Sequence, residues 1–129
     1  MIYLDTSVVL AQLLSEQRRP PAELWDATLI SSRLVEYEVY TVLHLQGLAV
    51  THDEDARILL GGVALLEMTS EILERAKAPF PLPLRTLDGL HLASIDFLRE
   101  QRQRVQLASY DNRLTRAAKR MGMDVIDLP

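Results

Sequence analysis

The chain reads as an open α/β fold in which five short strands alternate with helices, and three observations lead there. Met1-Ile2-Tyr3-Leu4 is an apolar run that ends in Asp5-Thr6-Ser7, directly before the amphipathic segment Val8 to Leu14. That order describes a buried strand delivering an acid to a strand-to-helix turn, the place where open α/β sheets keep their chemistry. The same order recurs near the other end, where Val105 to Tyr110 is followed by Asp111-Asn112 and a helix. Finally, strand-length apolar runs and helix-period segments alternate through all 129 residues, 48% of them apolar. This is enough for one full core and too little for two ordinary ones, so residues 1–129 are expected to form one domain.

The elements follow in order. Val8 to Glu16 continues as a helix, which Arg18-Arg19-Pro20-Pro21 breaks. Pro21 suits the first turn of a short helix reaching about Trp25, where no amide donor is needed. Ala27 to Ile30 is a second strand, and Ser31 or Ser32 caps a helix running to about Leu48, with Gly47 near its end. Thr51-His52-Asp53-Glu54 has the cap-then-acid pattern of another helix start, and its acids read as structural partners of the helix dipole. That helix reaches about Leu60, and Gly61-Gly62 ends it before a strand at Val63 to Leu66. Thr69-Ser70-Glu71 opens a helix to about Ala78, and Pro79-Phe80-Pro81-Leu82-Pro83 is a loop, because its prolines remove donors and hold their predecessors extended. A helix then begins near Thr86, its cap, with Asp88 in its first turn. After Arg99 to Arg104 come the strand Val105 to Tyr110, a helix with Leu114, Ala117, Ala118 and Met121 on one face, and a last strand at Met123 to Ile126. Gly122 separates those two elements.

Two helices carry acids in positions that call for explanation. At about 100° per residue, Leu34, Val35, Val39, Val42 and Leu45 form one apolar stripe; Glu38 falls inside it and Glu36 outside. A carboxylate on a buried stripe requires compensation, either a metal ion or an arginine at the rim. Asp88 complements the helix dipole or points into a site, and Leu92 and Ile95 on the same side favour an inward carboxylate. Asp5 and Asp111 each read equally as a helix cap. What capping leaves unexplained is the set: two acids at corresponding strand ends, with Glu38 on a buried stripe. His91, alone among leucines, reads as a packed, hydrogen-bonded residue outside the site.

Composition narrows the function. There is no cysteine, which excludes a disulfide scaffold and thiolate metal sites. No run approaches the roughly 18 apolar residues of a membrane span, and no basic region followed by an apolar core opens the chain, so a cytoplasmic location is expected. The net charge is −4, but residues 1–74 hold 12 acids and 4 bases while residues 75–129 hold 10 bases and 6 acids. Such asymmetry leaves a nucleic-acid partner open where the total charge would discourage one, though solvated helix faces of differing charge produce it too. Arg113, Arg116, Lys119 and Arg120 lie opposite the apolar face of the last long helix, and Arg113 and Arg116, with Arg85 before the preceding long helix, are the candidate contacts for a nucleic-acid partner.

Four acids brought together would repel one another in a partly dry site, and a divalent ion resolves the conflict. Oxygen-only ligation favours Mg²⁺ or Mn²⁺ over zinc. The chemistry this suits is phosphodiester hydrolysis, with Thr6, Ser7, Ser109 and Asn112 placed beside the acids to orient water or substrate. A phosphatase with Asp5 as nucleophile would want a second acid two residues on, where Ser7 stands. A nucleotide-binding module lacks its Gly-rich loop. A binding module whose acids only cap helices remains the alternative to an enzyme.

The set Ile2-Tyr3-Leu4-Asp5-Thr6-Ser7, Ser31-Ser32 with Glu38, Leu84-Arg85-Thr86-Leu87-Asp88-Gly89-Leu90-His91-Leu92-Ala93, and Ser109-Tyr110-Asp111-Asn112-Arg113-Leu114 resembles the PIN-domain ribonucleases. More narrowly, it is similar to the VapC toxins of toxin–antitoxin pairs. The resemblance spans nearly the whole chain. It implies a three-layer α/β/α fold around a mostly parallel sheet and RNA cleavage with Mg²⁺ or Mn²⁺ held by Asp5, Glu38, Asp88 and Asp111. It implies Thr6 and Ser109 as supporting polar residues, a homodimer, and an antitoxin partner that blocks the site.

Overall fold

The computed structural model describes residues 1–129. Five strands, β1 (Ile2–Leu4), β2 (Leu29–Ser32), β3 (Ala64–Leu66), β4 (Gln106–Ala108) and β5 (Asp124–Val125), form one sheet in the order β3-β2-β1-β4-β5. Every neighbouring pair is parallel. Six helices make the crossovers: α1 (Thr6–Leu13), α2 (Leu34–Leu45), α3 (Ala49–Gly61), α4 (Ser70–Lys77), α5 (Thr86–Glu100) and α6 (Asn112–Arg120). The chain starts in the middle of the sheet, builds outward through β2 and β3, then crosses to the other side of β1 for β4 and β5. The strand order therefore reverses between β1 and β4. A crevice opens at the carboxyl ends of the strands at such a reversal.

The three-layer arrangement follows from side chains alternating across each strand. Leu4, Leu29 and Ala108 point to one core, with Val8, Val9, Val35, Val39, Leu43 and Leu60 from the first three helices. Their neighbours Tyr3, Ile30 and Leu107 point to the other, with Leu92, Ile95, Leu98, Leu114 and Ala117 from α5 and α6. A sheet covered on both faces admits no polar side, and all four residues of β2 are buried. Its two serines are accommodated by hydrogen bonds: Ser31 Oγ donates to the Leu4 carbonyl at 2.7 Å, and Ser32 Oγ accepts from Leu34 N at 3.1 Å.

Several boundaries differ from the expectation. α1 starts at Thr6 and stops at Leu13, since Ser15 takes φ 49°. α3 begins at Ala49, ahead of Thr51, whose hydroxyl donates back to the Leu48 carbonyl instead of capping. Asp53 accepts from the Tyr40 hydroxyl at 2.8 Å and pairs with Arg57, so it is structural as expected but works side to side. On α2 the buried face is Val35, Val39 and Leu43, while Leu45 is 82% exposed. The packed stripe follows the i, i+4 row, which neighbouring helices cover, and Leu45 lies past its edge. Thr86 is the first residue of α5, and the cap position belongs to extended Arg85.

Candidate active site at the sheet's switch point

Asp5 follows β1 directly, caps α1 and is 4% exposed. Its backbone N–H donates to the Ala108 carbonyl at 3.0 Å, so the β1–β4 ladder sets its height. Its Oδ2 accepts from Ser7 Oγ at 2.6 Å, Ser109 Oγ at 2.8 Å and Ser7 N at 3.4 Å. The same hydroxyls also accept: Ser7 Oγ from Tyr110 N across the reversal at 3.0 Å, and Ser109 Oγ from Asp111 N, two residues on, at 2.9 Å. Ser7 and Ser109 thus clip the two strand ends together around one carboxylate oxygen. Asp5 Oδ1 has no protein partner.

Asp111 caps α6 through Oδ1, which accepts from Arg113 N at 2.9 Å and Leu114 N at 3.2 Å. Its Oδ2 is left without a protein partner. Glu38, on α2, has a side chain 16% exposed and places Oε1 2.6 Å from His91 Nε2. Glu36 instead pairs with Arg33 at 2.9 Å on the surface. Capping and site-lining, weighed as rivals from the sequence, therefore coexist in Asp5 and Asp111, one oxygen serving each purpose.

Asp88 lies in the first turn of α5. Next to it, Gly89 leaves room for the Phe80 ring, 3.3 Å from where a Cβ would stand. The Arg75 guanidinium sits 4.5 Å over the same ring, so the proline loop is pressed onto the helix start that carries Asp88. The Asp88 carboxyl is pushed up to about 6, first by burial, then by the charges of Asp111 and Asp5. The elevation is that of a half-buried carboxyl with like charges beside it.

All four acids line one cleft of about 340 Å³, with Thr6 and Ser7 in its wall and Leu10, Tyr37 and Leu87 at its rim. A larger cavity of about 770 Å³, between α4, the proline loop and the start of α5, contains no acid and is walled by Leu73, Phe80, Leu82 and Leu84. Arg85 lies in that cavity, outside the acid cleft. Asn112 faces a separate polar recess of about 350 Å³ with Arg18 and Lys119. Arg113 and Arg116 are exposed on α6. Thr6, Ser7 and Ser109 therefore meet the acids, while Asn112 and the three arginines do not line their cleft.

One neighbour of the site escaped the sequence reading. His91, read as packed and hydrogen-bonded, is both, with no exposed surface, but its bond is to Glu38. The available signal was its position on α5, one turn past Asp88 and beside buried Leu92. Burial pulls the imidazole pKa down, yet the Glu38 hydrogen bond and the charges of Asp5, Glu38 and Asp88 leave it raised overall.

The donor set suits a hard divalent cation in chemistry: oxygens only, with three acids each keeping an oxygen unused by the protein. Distances are looser. No three acidic or histidine side chains are gathered closely enough to ligate one ion as they stand.

Comparisons with known proteins bear on the family and the fold. The model of the PIN domain family matches residues 2–120. Ribonuclease VapC47 of Mycobacterium tuberculosis is 30% identical over 131 residues, covering 95% of this chain and 93% of that protein. Ribonuclease VapC46 of the same species is 33% identical over 128 residues, covering 97% and 95%. Among solved structures, a toxin–antitoxin complex from Klebsiella pneumoniae superposes with a TM-score of 0.68 at 18% identity, covering 98% of this chain and 97% of that one. VapC20 of Mycobacterium tuberculosis, a sarcin-ricin loop cleaving toxin, superposes with a TM-score of 0.69 at 19% identity, covering 91% and 95%. At those identities the two structures bear on the fold alone. Given the family model, the VapC relatives and the α/β/α architecture, the chain belongs to the PIN domain family, among its VapC-type ribonucleases.

Proposed function

We propose that this chain is a divalent-metal-dependent endoribonuclease, the toxin of a toxin–antitoxin pair, acting as one domain with Asp5, Glu38, Asp88 and Asp111 holding Mg²⁺ or Mn²⁺. The observation that carries this reading is the single cleft lined by four acids from four separate segments, in which burial first, and then Asp111 and Asp5, raise the Asp88 carboxyl. When bound, a divalent ion supplies Lewis acidity toward the phosphodiester and lowers the pKa of an attacking water. The chain's own part is positioning. Ser7 and Ser109 hold Asp5 across the strand reversal, α6 holds Asp111, and His91 holds Glu38. Thr6, whose hydroxyl is buried beside His91, completes the polar wall.

RNA is the proposed substrate. Exposed Arg113 and Arg116 on α6, with Arg85 beyond the cleft, are the proposed contacts for backbone phosphates, where a charge of one sign suffices and no base need be read. The proposed partners are an antitoxin and a second copy of the chain. Leu45, Val50 and Ile58, which are 82%, 94% and 70% exposed on α2 and α3, are apolar surface for such contacts. No helix is long and apolar enough to cross a membrane, and action on RNA points to the cytoplasm.

A non-catalytic binding module is the second reading, supported by Asp5 and Asp111 both capping helices and by the absence of three acids at ligating distance. An RNase assay with and without Mg²⁺ on the wild type and Asp5→Asn separates the two. Metal-dependent cleavage lost in the variant is the expected result, with a drop of about 100-fold or more. Equal cleavage by both proteins would sink the mechanism.

A further inference from the structure

His91 is bonded at both ring nitrogens and has no exposed surface. Its Nδ1 lies 2.7 Å from the Tyr3 hydroxyl, and its Nε2 lies 2.6 Å from Glu38 Oε1. Proton placement follows from the partners. An ionised carboxylate only accepts, so Nε2 carries a hydrogen and donates to Glu38 in either charge state of the ring. The Tyr3 oxygen meanwhile accepts from Ser32 N at 3.2 Å, which leaves its own hydrogen to point at Nδ1 of the neutral ring. The bonds then run in one direction, from the β2 backbone through Tyr3 and His91 to Glu38. The Tyr3 ring meets the imidazole edge-on, centroids 5.7 Å apart at 79°, so the ring plane is held by packing as well.

Glu38 is the acid that needs such support. Asp5 and Asp111 are short side chains fixed at strand ends by hydroxyls and amides, whereas Glu38 projects from mid-helix on three rotatable bonds. Its hydrogen bond to His91 uses Oε1 and leaves Oε2 without a protein partner. We infer that His91 is a positioning residue: together with Tyr3 it holds the Glu38 carboxylate in one rotamer, so that Oε2 is preset for a divalent ion. This rests on the proposed reading of the cleft as a metal site. A ligand ordered in advance spares ion binding the loss of its rotamer freedom, and partners of this kind typically change metal affinity by about 10- to 100-fold.

The test is Mn²⁺ affinity of the full chain, measured by the loss of the free-ion electron paramagnetic resonance signal, without any RNA. His91→Leu should weaken Mn²⁺ binding by about 10- to 100-fold. His91→Gln, which keeps an N–H near the Nε2 position, should restore most of the affinity. Tyr3→Phe should weaken binding by a smaller factor in the same direction. In a Glu38→Gln background, His91→Leu should add nothing, because its effect passes through Glu38. Wild-type affinity in His91→Leu would overturn the inference, as would an equal loss in the Glu38→Gln background, which marks a general structural effect. If His91→Leu fails to fold by circular dichroism, Tyr3→Phe decides, and unchanged affinity there counts against the inference. Failure of the underlying reading looks different: the wild type then binds no Mn²⁺, or binds it equally after Asp5→Asn and Asp111→Asn.

Discussion

Replacing Asp88 by Asn is expected to stabilise the metal-free protein while removing a proposed metal ligand. The Asp88 carboxyl is raised from 3.8 to about 6 by burial and then by Asp111 and Asp5. Between those values the folded chain binds the proton more tightly than the unfolded chain. Stability therefore falls as pH rises through that window, and the penalty is complete above it. At about 1.4 kcal/mol per pH unit the gap sets a ceiling of about 3 kcal/mol. Asp88 is partly exposed, so solvent screening reduces the working figure to about 1–2 kcal/mol. Thermal unfolding in EDTA near pH 7.5 should then show Asp88→Asn melting above the wild type, by on the order of 5 °C. Well below pH 3.8, where Asp88 is neutral in both the folded and the unfolded chain, the difference should vanish. Mn²⁺ should stabilise the wild type more than the variant, since a cation held only by the folded chain would offset the buried, crowded charge of Asp88. A variant less stable than wild type near pH 7.5, or equally advantaged at both pH values, would refute the account of crowded carboxylates.

Other expectations test separate parts of the site. Glu38→Gln should lower metal-dependent RNA cleavage by at least about 10-fold, whereas Glu36→Gln, which only opens a surface pair with Arg33, should leave the rate within about 2-fold and stability within about 0.5 kcal/mol; the reverse order would move the assignment to Glu36. Gly89→Val should cost about 1–3 kcal/mol in urea unfolding, because the added carbons meet the Phe80 ring where a single Cβ already stands at 3.3 Å, and an unchanged midpoint would show that the proline loop yields freely. RNA binding should weaken steeply with salt, and Arg113→Ala or Arg116→Ala should each reduce the slope of log affinity against log salt by about 1; a flat profile would place the RNA elsewhere.

The local elements were legible because each is written in short-range chemistry. Strand-then-acid at Asp5 and at Asp111, the Gly61-Gly62 stop and the proline loop all express propensities of adjacent residues, and each occurs close to where it was expected. Boundaries moved where a competing hydrogen bond won, as at Thr51, which bonds back to Leu48. Glu38 was separated from Glu36 by helical periodicity, although Leu45, counted in the same stripe, turned outward. Periodicity names a helix face; packing decides how far along the helix that face stays covered.

The sequence by itself determined that acids stand at the carboxyl ends of two strands and on two helices, and that the chain alternates strand and helix. The tertiary structure decided that these acids share one cleft, because only the strand order β3-β2-β1-β4-β5 puts the reversal between Asp5 and Asp111. It also decided the partners: Ser109 on Asp5 across 104 residues, and His91 on Glu38 across 53. Contacts of that range depend on sheet register and on helix placement across the sheet, both set by burying two apolar faces at once, and no window of neighbouring residues records them.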